Sequence, residues 1–146
     1  MRPAVRLLPA LLLCACLLSG CTAAAFFAAN VPSAFGPYER TADLAYGPES
    51  RQQLDVYVPD APAAEPRTVI VFIHGGSWES GSKDEYRFVG SSLAEQGFIT
   101  VLPSYRLSPA VRFPVFVEDA AQAVAWTLRN IDRYGGNPHR VFVMGH

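Results

Sequence analysis

The sequence predicts an α/β fold, a mostly parallel sheet with helices on both faces. Three runs rich in β-branched and aromatic residues, 69–73, 98–102 and 141–144, have the continuous apolar character of strands covered on both sides. Two stretches with helical character separate these runs. Strand, helix, strand, helix, strand is the order that parallel pairing with crossover helices requires. The chain of 146 residues is 50% hydrophobic and 17% charged, enough for a core and too apolar for disorder. Its net charge of −1, with eleven scattered Arg and a single Lys, Lys83, excludes the basic footprint of a nucleic-acid binder.

The N-terminus differs from the rest. Arg2 and Arg6 precede an apolar run over 7–18, and no acid occurs before Glu39. A basic start, about a dozen apolar residues and a small-residue end make residues 1–20 a secretory signal peptide. The run is short of the roughly 20 residues that span a bilayer, and it contains Pro9. Leu18-Ser19-Gly20-Cys21 resembles the lipobox of bacterial lipoproteins, in which the cysteine is acylated and becomes the new N-terminus. That resemblance implies a lipid anchor at Cys21 in the cell envelope; ordinary cleavage near Ala23 to Ala25 is the competing reading. Loss of residues 1–20 also removes Cys14 and Cys16 and leaves Cys21 as the one cysteine of 21–146, so neither an internal disulfide nor a cysteine metal site is expected there. Residues 21–41 read as a tether, and 42–146 as a partial domain.

Within that domain, 54–58 alternates and stops at Pro59, as an edge-side strand would. Residues 60–67 carry Pro62 and Pro66 and read as a loop. The first helix is expected over about 84–96, capped by a left-handed Gly97. The second begins near Pro114, with Val117, Ala120, Ala121, Val124, Leu128 and Ile131 on one face. Glu118 and Asp119 near its start and Arg129 and Arg133 near its end match the helix dipole. Gly135-Gly136 stops it.

Ligands of open α/β sheets bind beyond the carboxyl ends of the strands, and each such end here is distinctive. The first buried run leads into His74-Gly75-Gly76-Ser77-Trp78, whose glycines allow a sharp turn with bare N–H groups. The second leads into Pro103-Ser104-Tyr105-Arg106, and the third into Gly145-His146. No Gly-x-Gly-x-x-Gly or Walker-type Lys-Ser/Thr accompanies the first turn, which argues against a nucleotide site.

With Tyr46-Gly47, Phe113-Pro114, Asp119, Trp126 and the 134–141 segment, this ordered set resembles the N-terminal half of an α/β-hydrolase. The branch is the carboxylesterases related to hormone-sensitive lipase. The resemblance implies an oxyanion hole at Gly75 and Gly76, with His74 holding the loop, and loop or pocket support from Ser77, Trp78, Tyr105 and Arg106. His139 is expected to face solvent. Gly145 and His146 match the start of a Gly-x-Ser-x-Gly nucleophile elbow, with serine, acid and base expected beyond His146. A serine-dependent ester hydrolase acting on small esters is implied, with no metal or organic cofactor. An inactive scaffold of the same fold and an arylformamidase- or deacetylase-type hydrolase are the alternatives.

Overall fold

The computed structural model describes residues 23–146; the expected signal peptide and Cys21 lie outside the described residues. One five-stranded mixed sheet forms the body. Its strands are β1 (Tyr38–Ala45), β2 (Gln53–Pro59), β3 (Arg67–Ile73), β4 (Ile99–Pro103) and β5 (Gly136–Gly145), in the order β1-β2-β4-β3-β5. The pairs β3–β4 and β3–β5 are parallel, whereas β1–β2 and β2–β4 are antiparallel. The parallel half comes from the three apolar runs, and an antiparallel hairpin is added at one side. Helices lie on both faces: α1 (described residues 23–30) and α2 (Arg87–Glu95) on one, α3 (Val115–Asn130) on the other.

Strand alternation sorts the core. Leu54, Val56, Val69, Val71, Ile99 and Val101 pack with Ala123 and Ile131 on the α3 face. Tyr57, Phe72 and Leu102 pack with Tyr86, Ala94 and Phe26 on the other. Each fully buried Leu, Ile or Val contributes about 1.5–3 kcal/mol, so both layers are needed.

Several expectations are corrected. The 54–58 strand is internal, between β1 and β4, because Asp55 fits inside as an ion-paired residue rather than marking a solvent face. Residues 23–30 are helical and β1 begins at Tyr38, so much of the expected tether has regular structure. Its local pattern is weak, and packing of Phe26 on Tyr86 at 5.3 Å orders it instead. The first helix starts at Arg87, three residues later than expected, and ends as foreseen before Gly97 at φ +92°. On α3 the buried stripe is Asp119, Ala123 and Thr127, leading to Ile131, while Val117 and Leu128 are exposed. The ion pair that holds Asp119 inside sets this rotation. Strand β5 is a sheet edge, paired to β3 alone, and Phe142, Val143 and Met144 are exposed rather than covered.

Candidate active site

Strand β3 delivers His74 to the carboxyl end of the sheet, and the chain then turns sharply. Gly76 has φ +118°, and Ser77 and Trp78 follow with φ +54° and +63°, three successive left-handed residues. The Gly76 carbonyl accepts hydrogen bonds from the Glu79 and Ser80 N–H groups at 2.9 and 3.1 Å, closing the turn. A side chain at Gly76 would overlap the Ser80 carbonyl, and one at Gly75 would come within 2.6 Å of His146 Nδ1. Among the described residues neither Gly75 nor Gly76 N–H has a partner, leaving two free donors side by side.

His74 holds this turn from below. Its Nδ1–H donates to the Gly75 carbonyl at 2.8 Å, while Nε2 is buried without a partner, so the ring is neutral. Burial pushes its pKa down to about 4, against a smaller upward pull from the Gly75 hydrogen bond. The ring stacks on Tyr105 at 4.1 Å and 11°, and the Tyr105 hydroxyl donates to the His74 carbonyl at 2.7 Å. Burial, with Tyr86 nearby, raises the Tyr105 hydroxyl to about 12, which keeps it a donor.

A second tier fixes these residues. Arg51 Nε donates to the Tyr105 carbonyl and Nη2 to the Gly81 carbonyl, both at 2.7 Å, tying the strand ends β3 and β4 together. Asp119 is fully buried and takes two bonds from the Arg106 guanidinium, at 2.8 and 2.7 Å, and one from Gln52 at 2.7 Å. Burial raises the Asp119 carboxyl, but the Arg106 and Gln52 hydrogen bonds together outweigh it and hold the pKa below the usual range.

Strand β5 brings Gly145 and His146 alongside. His146 N–H bonds the Ile73 carbonyl at 3.3 Å, and its Nδ1 lies 2.9 Å from the Tyr86 hydroxyl. An open cavity of about 630 Å³ is lined by His74, Gly75, Gly76, Ser77, Trp78, Tyr105, Gly145 and His146, with Ile73, Val143 and Met144. Every candidate from 74 onward therefore meets in one place. Arg106 stands behind it, Trp78 stacks on Phe116 at 4.9 Å, and His139 is exposed as expected. Cys21 lies outside the described residues. Arg51 and Tyr86 were not foreseen: a lone Arg in a turn and a Tyr at a helix start carry no local signal.

Such a site can donate hydrogen bonds to a carbonyl oxygen and seat the group around it. Among the described residues, no cluster of three His, Cys, Asp or Glu could hold a metal ion. The BD-FAE family model matches residues 54–146. The chain is 35% identical over 103 residues to isoprenylcysteine alpha-carbonyl methylesterase of Arabidopsis thaliana, covering 70% of this chain and 24% of that protein. It is 35% identical over 101 residues to the esterase LipC of Mycobacterium tuberculosis, covering 68% and 25%. The chain thus spans about a quarter of the length of these relatives. Esterase B of Lactobacillus rhamnosis superposes with a TM-score of 0.78 at 23% identity, over 94% of this chain and 45% of that one, and so shares the fold. A bacterial heroin esterase superposes with a TM-score of 0.62 at 27% identity, over 74% and 34%.

Proposed function

The chain belongs to the BD-FAE family, and from that premise we propose that it supplies the oxyanion-hole half of an envelope-anchored serine carboxylic-ester hydrolase. The observation that carries the reading is the pair of free N–H donors at Gly75 and Gly76 beside the Gly145-His146 strand end. A serine following His146 would emerge from β5 next to those donors. Its hydroxyl would attack the ester carbonyl, a histidine further along would take the proton, and the two N–H groups would stabilise the tetrahedral oxyanion. Collapse expels the alcohol, which regains the proton, and water then releases the acid from the acyl-enzyme. His74 does no proton transfer in this scheme; neutral and buried, it holds the Gly75 carbonyl. Acylation of Cys21 would place the protein at the membrane.

The reading frame beyond codon 146 and the activity of its product test this. Ser with Gly two positions later is expected, and the full-length protein should hydrolyse short p-nitrophenyl esters. Replacing that serine by Ala should abolish turnover. Gly76→Ala, which must displace the loop, should lower kcat about 10²–10³-fold. An in-frame stop, or full activity without the serine, would refute the reading and favour an inactive scaffold.

A further inference from the structure

We propose that the outer surface of the N-terminal segment 23–35 lies in the lipid–water interface of the membrane, a proposal that takes Cys21 as the acylated residue. The segment carries no charged side chain, and the first acid of the chain is Glu39. Its polar side chains are turned to the body. Asn30 donates to the Asp84 and Glu85 carbonyls at 3.0 and 3.1 Å and accepts from Phe88 N–H at 2.9 Å, and Ser33 donates to the Asn30 carbonyl. Phe26 points inward onto Tyr86. What remains outside is apolar: Phe27 is 74% exposed, Val31 50% and Phe35 85%, at four-residue intervals. These three form the apolar side of one groove of about 690 Å³, whose other side carries Arg40, Asp84 and Arg87.

An apolar surface of this kind marks an interaction site. The sequence position favours lipid over a second copy or another part of the chain. Cys21 is two residues before Ala23 in the sequence, and two residues of chain reach at most about 8 Å. Acyl chains there would hold the segment at the bilayer, and aromatic side chains suit burial about 5–10 Å into the headgroup boundary. The Asn30 contacts then fix the body's orientation, because α1 is clamped to α2. Ser80 and Gly81, at the end of the oxyanion turn, line a depression together with Phe26 and Phe27. The site therefore sits beside the membrane and not at the end of a loose tether.

Tryptophan quenching in vesicles tests the surface. The exported full-length protein is reconstituted into phosphatidylcholine vesicles with or without brominated acyl chains, as wild type, Phe35→Trp and Leu128→Trp. Leu128 is 47% exposed on α3, the opposite face. Bromination should cut the added Phe35→Trp emission at least about two-fold and leave Leu128→Trp with no quenching beyond wild type. Equal quenching of the two, or none at Phe35→Trp, would overturn the proposal. In a Cys21→Ser background, the triple variant Phe27→Ser, Val31→Ser, Phe35→Ser should co-sediment with vesicles about tenfold less; equal binding also overturns it. Mass spectrometry of the N-terminus separates the two ideas. An unacylated Cys21 with a quenched Phe35→Trp removes the anchor but keeps the surface, whereas an acylated Cys21 with an unquenched one removes the surface.

Discussion

Lys83 is the chain's single lysine, and only 4% of its side chain is exposed. Its amine lies 2.6 Å from Asp43 and 3.0 Å from Asp55, which is fully buried and also takes Arg40 at 2.6 Å. Burial would depress the amine, but the bonds to Asp43 and Asp55 outweigh it and keep it charged. Removing the amine leaves buried Asp55 with Arg40 as its remaining cation, so the cost is at or below the low end of the range for breaking a buried pair, up to about 3 kcal/mol. Lys83→Met is accordingly expected to lower the unfolding free energy, measured by urea denaturation, by that amount. His74 yields a pH dependence. Its pKa is about 4 folded and 6.5 in the unfolded chain. Between those values the unfolded state takes up a proton that the folded state refuses, so stability falls as pH drops from 6.5 to 4 and levels off below. The loss is up to about 3 kcal/mol. Urea midpoints at pH 7 and 4.5 should differ accordingly, and His74→Asn should flatten this component. The carboxyls held low, Asp84 and Asp119, act below this window.

Elements repeat the lesson that packing chooses between faces. α3 has apolar residues on more than one side, so Val117 and Leu128 were as plausible inside as Ala123. The buried Asp119–Arg106–Gln52 bonds decide it, since leaving Asp119 buried and unpaired would cost far more than exposing Leu128. At the end of α2, by contrast, the local code suffices. Gly97 stands at φ +92° with its nearest outside atom, on Arg67, 3.5 Å from where a Cβ would sit. Gly97→Ala therefore meets backbone strain without a clash, and should cost about 1–2 kcal/mol in thermal or urea unfolding. The proposed ester turnover should be unchanged.

For the whole molecule, the mixed sheet and its helical layers form the frame that carries the cavity beside Gly75 and Gly76. The sheet presents β5 as an edge, with Phe142 61% and Val143 60% exposed. Apolar edges template association. Residues 23–146 expressed alone should thus elute as aggregates or melt without a cooperative transition. A monomeric piece with a sharp melting curve would contradict this.

The parallel strands, the cap at Gly97 and the Gly75-Gly76 turn were legible from residue order, because each rests on local forces: β-branched runs, a left-handed glycine, bare N–H groups at a strand end. Membership of the α/β-hydrolase esterases was legible too, from motifs in fixed sequence. Other features needed the folded chain. Asp55 reads as a solvent position until Lys83 and Arg40 arrive from 28 residues ahead and 15 behind. The segment 23–35 reads as a tether until Tyr86 and the start of α2 receive Phe26 and Asn30. Arg51 is a lone turn arginine until Tyr105 and Gly81 bring their carbonyls to it. In each case a charged or weakly patterned residue takes its environment from partners remote in sequence, and only tertiary packing sets whether its burial is compensated.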